Sequence, residues 1–291
     1  CLMSEYIITG GRSFNGRVRI SGNKNAALPC LAASLLTDEQ ITLENVPMIQ
    51  DVSVMIKLLQ ELGSQVTGFG NGRFHIKSDI CFNGLSSSLV DSVRGSILLA
   101  GPLLARGIKV VIPPPGGDVI GLRRLDSHFT GLSALGVRCS VLDNGDLELA
   151  PPPRLKASDI FLDEASVTAT ENCIMAASLA DGVSTIYNAA CEPHIQNLCR
   201  MLMKMGCRID GIGSNYLTVH GRASLSSCIH TISFDYMECG SFIGLAASTG
   251  SQLTLTGVDI SQLKPIEKGF SKLGISFEKR ENEIFVPADQ D

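Results

Sequence analysis

Hydrophobic and polar positions along this chain follow one pattern, written four times. The segments "MIKLLQELGSQVTGFGNGRFHI", "HFTGLSALGVRCSVLDNGDLEL", "NLCRMLMKMGCRIDGIGSNYLTV" and "IEKGFSKLGISFEKRENEIFV" each place apolar residues at helical spacing. A glycine follows, then two short alternating stretches around a polar turn. That order predicts an amphipathic helix, a glycine that ends it and a pair of strands. The glycines are Gly63, Gly136, Gly206 and Gly274, recurring about every seventy residues. Upstream of each stands a second matching piece: "NAALPCLAASLLTDEQITLENVP", "RGSILLAGPLLARGIKVVIPPPG", "ENCIMAASLADGVSTIYNAACEP" and "CGSFIGLAASTGSQLTLTGVDIS". Each predicts a small-residue apolar helix, a turn and a strand. With one more strand leading in, the chain is α/β and built from repeated βαβαββ units. Their Ala- and Gly-rich helices allow close approach, so the units bury them against one another in a central bundle.

Composition narrows the class. The 291 residues are 44% hydrophobic, enough for two cores, and the length favours two domains. A net charge of −5 offers no global basic field for nucleic acid, so any anion site is local. Ten cysteines include no C-x-x-C pair, and several sit inside apolar runs. They read as buried thiols in a reducing compartment, not as a disulfide or zinc framework. No run of about 18 apolar residues predicts a membrane span, and no signal-peptide pattern is present. The expectation is a soluble, cytoplasmic protein with no nucleic-acid or membrane partner.

Candidate chemistry gathers at helix starts. In "RISGNKNAALPCLAASLL" the residues Lys24 and Asn25 open an apolar helix. A cation there opposes the helix dipole. Lys24 is therefore either a solvated turn residue or shares an anion, typically phosphate, with the free N–H groups of the first turn. Arg94 opens "RGSILLAGPLLAR" at the same address. The loop "IPPPGGDVIGLRRLDSHF" carries Asp118, Arg123, Arg124, Asp126 and His128, and "FLDEASVTATENCIMAA" carries Asp163, Glu164, Ser166 and Thr168. Units folded about a pseudo-symmetric axis bring these addresses towards one mouth, where Lys24, Arg94 and Arg123 form a phosphate or diphosphate clamp. Taken alone, Arg123-Arg124 is equally well a solvated pair. His75, His220 and His230 read as structural, His128 remains open, and no spacing resembles a metal site.

The motifs "SGNKNAALP", "RGSILLAGPLLAR", "PGGDVIGLRRLDSH", "ASVTATENCIMAA" and "NAACEPHI" resemble the UDP-N-acetylglucosamine enolpyruvyl transferase family, from about Glu5 to Ala288. The sister family that makes enolpyruvylshikimate phosphate shares the repeat, but "GNKNAA" and the "PGGD…RRLD" loop fit the sugar-nucleotide family better. The resemblance implies an inside-out α/β barrel: one complete three-unit domain at residues 22–233, with residues 1–21 and 234–291 as an incomplete second domain. It implies transfer of enolpyruvyl from phosphoenolpyruvate to the 3-hydroxyl of UDP-N-acetylglucosamine, a step of peptidoglycan precursor synthesis needing no metal or organic cofactor. Lys24 and Arg123 would hold phosphoenolpyruvate, and Asn25 would touch both substrates. Arg94, Arg123, Arg124, Leu125, Asp126, Ser127, Ala165, Ser166 and Val167 would line the UDP-sugar site. Asp118 would deliver the proton.

The chain departs from the family at several positions. Many members carry cysteine where Asp118 stands, which predicts resistance to the thiol-directed epoxide fosfomycin. Glu164 replaces an often basic residue and Tyr236 an arginine, which weakens the charge match to UDP. The family has six units and this chain four. The expectation is therefore a chain inactive alone, lacking an aspartate and further arginines, with an exposed apolar face on the fourth unit for self-association or a partner. The alternatives are a non-catalytic UDP-sugar or partner-binding protein, and enolpyruvyl transfer to another nucleotide.

Overall fold

The computed structural model describes residues 6–68, 70–81, 85, 87–113 and 125–290. Contacts divide the chain into two compact units: Gly22–Ser233, and Cys1–Ser21 with Phe234–Asp291. The first strand, β1 (Asn15–Arg19), belongs to the second of these.

Unit Gly22–Ser233 holds three repeats and a closing strand. The first repeat runs α1 (Lys24–Ala33), β2 (Ile41–Glu44), α2 (Gln50–Glu61), β3 (Ser64–Thr67) and β4 (Phe74–Ser78). The second runs α3 (Ser87–Ser92), a 3-10 segment Arg94–Leu99, α4 (Ala100–Ala105), β5 (Val110–Ile112), α5 (Asp126–Ala134), β6 (Arg138–Val141) and β7 (Leu147–Ala150). The third runs β8 (Asp159–Phe161), α6 (Val167–Ala177), β9 (Val183–Tyr187), α7 (Pro193–Lys204), β10 (Arg208–Asp210) and β11 (Tyr216–His220), and β12 (Cys228–Thr231) follows.

Burial separates helix layer from sheet layer. From Ala26 to Ala33 every residue of α1 is buried, and so is every residue of α6 from Ala169 to Ala177. A helix apolar all round belongs inside. Strands β8 and β9 instead alternate exposed and buried positions, so their sheet covers the helices with one face and meets solvent with the other. Helices inside and sheets outside make the inside-out α/β architecture. Three sheets surround the bundle, in the orders β12-β2-β4-β3, β5-β7-β6 and β10-β11-β9-β8. The last strand, β12, pairs parallel with β2, Cys228 opposite Ile41, which closes the unit on itself.

Glycine makes this packing feasible. The four helix-ending glycines all have left-handed backbone, with φ of 96° at Gly63, 94° at Gly136, 100° at Gly206 and 75° at Gly274. Gly131 on α5 has a different reason: a Cβ there would overlap the Cys173 sulfur on α6.

One predicted helix differs. "RGSILLAGPLLA" reads as a single helix but forms the 3-10 segment Arg94–Leu99 followed by α4. Pro102 has no N–H to donate backwards, and its ring crowds the preceding turn. The junction falls just before it.

In the other unit β1 pairs parallel with β13 (Gln252–Thr256), in a sheet ordered β1-β13-β15-β14. Helices α8 (Tyr236–Thr249) and α9 (Lys264–Ser271) and strands β14 (Glu278–Arg280) and β15 (Glu283–Val286) complete it. Its core includes Ile20, Phe234, Ile243, Leu255 and Ile284, while Met237, Leu245 and Leu273 are exposed. Among the described residues no helix is long and apolar enough to cross a membrane.

Candidate active site

The repeat delivers helix N-termini built alike. Asn23 before α1 and Ser166 before α6 share one backbone conformation, φ −72° and ψ 123°. Asn23 Oδ1 accepts from Ala26 N at 3.1 Å, and Ser166 Oγ accepts from Ala169 N at 3.4 Å. Each cap satisfies one of the free N–H groups of the first turn and leaves the helix end electropositive.

Lys24, the first residue of α1, sits on such an end. Its Nζ lies 2.9 Å from Asp51 Oδ2, and both side chains are partly exposed. Asp51 belongs to the first turn of α2, which packs against α1. The counter-ion that the structure gives Lys24 is thus an internal carboxylate. An ion pair this exposed is worth about 0–1 kcal/mol, so it holds Lys24 only weakly.

Arg94 begins the 3-10 segment that packs against both α1 and α6. The contact with α1 is close, because a Cβ on Gly95 would lie 2.9 Å from Leu28 Cδ1. On α5, Ser127 and His128 are buried while Asp126 is exposed. His128 Nε2 is 3.0 Å from Thr168 Oγ1, and its Nδ1 is 3.0 Å from Asn172 Nδ2. Burial, then the charge of Arg94, lowers the His128 pKa to about 4, so the ring is neutral at pH 7. The histidine left open by the sequence is thus a buried link between α5 and α6.

The structure therefore brings Arg94, Leu125, Asp126, Ser127, Ala165, Ser166 and Val167 onto three neighbouring segments, with Lys24 and Asn25 on the adjoining α1. Ala165 is exposed, and Ser166 N donates to Glu164 O at 2.7 Å. Asp118, Arg123 and Arg124 lie outside the described residues.

Three residues escaped the sequence-based account. Asp51 gave no signal, being one acid in an ordinary amphipathic helix. Glu171 and Asn172 did: two adjacent polar residues interrupt the apolar run of α6. Glu171 is 1% exposed, and its Oε1 has no hydrogen-bond partner among the described residues. Burial first, and the Glu192 charge second, raise its pKa well above the usual carboxyl range. Among the described residues no group of three or more His, Cys, Asp or Glu side chains is arranged to hold a metal ion.

Comparison with known proteins identifies relatives of the whole chain. The profile of the family described as EPSP synthase (3-phosphoshikimate 1-carboxyvinyltransferase) matches residues 8–289. UDP-N-acetylglucosamine 1-carboxyvinyltransferase of Treponema denticola is 50% identical over 289 residues, covering 99% of this chain and 67% of that protein. The Treponema pallidum enzyme of the same name is 47% identical, with 99% and 68% covered. Among solved structures, the enolpyruvyl transferase NikO from Streptomyces tendae superposes with a TM-score of 0.82 at 20% identity, covering 96% of this chain and 66% of that one. An EPSP synthase from Acinetobacter baumannii gives 0.78 at 18% identity, with 97% and 66% covered. The chain thus spans about two thirds of the length of its relatives. Four repeated units, a helix-inside architecture and half-identical sequence place it in the UDP-N-acetylglucosamine 1-carboxyvinyltransferase branch of the EPSP synthase family, to which it belongs.

Proposed function

We propose that the protein transfers the enolpyruvyl group of phosphoenolpyruvate to the 3-hydroxyl of UDP-N-acetylglucosamine and releases phosphate, in the synthesis of peptidoglycan precursors. The observation that carries this is the 50% identity with a UDP-N-acetylglucosamine 1-carboxyvinyltransferase across 99% of the chain. In this account Lys24 and Arg123 hold the phosphoenolpyruvate anion, and Asn25 touches both substrates. Arg94, Arg123, Arg124, Leu125, Asp126, Ser127, Ala165, Ser166 and Val167 form the wall for the UDP-sugar.

Asp118 gives a proton to the methylene carbon of phosphoenolpyruvate, which makes C2 electrophilic. The oxygen of the sugar hydroxyl bonds to C2 and its proton passes to the phosphate group that will depart, forming a tetrahedral ketal. The C2–O bond to phosphate then breaks. The methyl group returns one proton to Asp118 and the carbon–carbon double bond reforms. Cationic groups at the helix ends offset the charge on the departing phosphate.

Calorimetric titration of the chain with UDP-N-acetylglucosamine, UMP and shikimate 3-phosphate tests the reading. The sugar nucleotide is expected to bind tightest, UMP more weakly, and shikimate 3-phosphate not at all. Binding of shikimate 3-phosphate without UDP-N-acetylglucosamine would move the chain to the sister activity. Equal affinity for UMP and the sugar nucleotide would favour another nucleotide acceptor, the alternative that Glu164 and Tyr236 raise. An intact-mass measurement after fosfomycin treatment is expected to show no adduct on this chain and one on Asp118→Cys.

A further inference from the structure

The split in the Arg94 segment has a partner on the neighbouring repeat. Gly101 N and Ile97 O stand four residues apart, the pair an uninterrupted α-helix joins. Here the side chain of Asn172, from α6, takes both groups. Its Oδ1 accepts from Gly101 N at 2.8 Å and its Nδ2 donates to Ile97 O at 2.9 Å. A Cβ on residue 101 would lie 2.7 Å from Asn172 Oδ1, so the glycine is what lets the amide in.

These two backbone partners orient the amide without ambiguity, because an N–H only donates and a C=O only accepts. The second proton of Nδ2 then points to His128 Nδ1. That nitrogen is the acceptor, the ring proton sits on Nε2, and Nε2 donates to Thr168 Oγ1. Asn172 has no exposed surface and His128 is 2% exposed. The chain of bonds runs from the Arg94 segment through Asn172 and His128 back to the first turn of α6, and His128 ties in α5.

We propose that Asn172 and His128 are positioning residues for the UDP-sugar wall, holding Arg94, the Asp126–Ser127 turn and the Ser166–Val167 turn in one fixed arrangement. The inference rests on the function proposed above and adds two residues that touch no substrate. An apolar side chain at position 172 would fill the space. It would also leave Gly101 N and His128 Nδ1 unpaired, leave Ile97 O with only its bond from Ala100 N, and free the 3-10 segment to turn.

The test is calorimetric titration of the full chain with UDP-N-acetylglucosamine for wild type, Thr168→Val, Thr168→Ser and Asn172→Leu, with melting temperature measured alongside. Thr168→Val keeps shape and volume but removes the acceptor for His128 Nε2, so it stays folded where Asn172→Leu fails to fold. It is expected to bind about tenfold more weakly while the melting temperature falls by only about 2–4 °C, the cost of leaving one buried donor unpaired. Thr168→Ser, which keeps the hydroxyl, is expected to bind as wild type does. Thr168→Val with wild-type affinity, or an affinity loss that Thr168→Ser shares, overturns the positioning role and leaves the proposed function intact. A wild-type chain that binds no UDP-N-acetylglucosamine overturns both.

Discussion

Lys24 Nζ and Asp51 Oδ2 meet at 2.9 Å across the first turns of α1 and α2. Two helices of one repeat thus meet at their N-termini with opposite charges. Asp51 is well placed by its own helix dipole, and Lys24 is badly placed by its own. The pair resolves that conflict and leaves the cation half-exposed.

Asp51→Asn removes the internal competitor for Lys24. Phosphoenolpyruvate is expected to bind about threefold more tightly, with little change in stability, since an exposed ion pair of this kind contributes about 0–1 kcal/mol. Calorimetry with wild type and variant reads the first expectation, and thermal melting reads the second. Weaker binding would mean that Asp51 orients Lys24 for the anion and does not compete with it.

Stability is expected to fall as the solution is acidified from neutral. Burial, chiefly, lowers both His128 and His230 to about 4, helped by Arg94 at the first and by Lys204 and Arg200 at the second. The unfolded chain protonates each near pH 6.5, the folded chain only near 4. Between those values the unfolded state holds more protons, so stability rises with pH through the window and is lost on descending it. Urea unfolding at pH 7 and pH 5 is expected to differ by about 2 kcal/mol per histidine. His128→Asn should remove about half of that difference. Equal stability at the two pH values would show that both rings protonate freely in the fold.

Gly131→Ala tests the close approach of α5 and α6. The added methyl would collide with the Cys173 sulfur in a closed core. A loss of about 1–3 kcal/mol is expected, the usual cost of overpacking. In a Cys173→Ala background, where the sulfur is gone, the same change should cost much less. Two variants with the same loss would place the strain elsewhere.

Thiol reactivity should sort by burial. Burial is the main cause raising Cys173, Cys199, Cys207 and Cys239 to about 12, while Cys81 and Cys191 are exposed. Only the thiolate attacks an alkylating agent. Iodoacetamide at pH 8, followed by peptide mapping, is expected to label Cys81 and Cys191 and to spare the other four until the protein is unfolded. Early labelling of Cys173 would reveal opening of the α5–α6 contact.

Local pattern alone determined the repeat, the helix-ending glycines and the addresses of Lys24, Arg94, Asp126 and Ser166, because periodicity, capping and turn chemistry act within a few residues of chain. A glycine with positive φ after an amphipathic helix is such a signal, and all four helix-ending glycines have that backbone. The apolar run from Arg94 misled, since its hydrophobic pattern says helix while Pro102 and the side chain of Asn172 divide it.

What only tertiary structure decided are the partners. Asp51 lies 27 residues from Lys24, Asn172 lies 71 residues from Gly101, and His128 lies 44 residues from Asn172. Nothing in the local sequence of either member names the other. Their pairing depends on which faces two helices present when packed. That follows from the burial of whole apolar surfaces, which is non-directional, before any hydrogen bond selects its geometry. The sequence could show that Glu171 and Asn172 interrupt an apolar helix. It could not show that one would be a buried carboxyl with a raised pKa and the other spliced into a neighbour's backbone, because that difference lies in what surrounds each side chain.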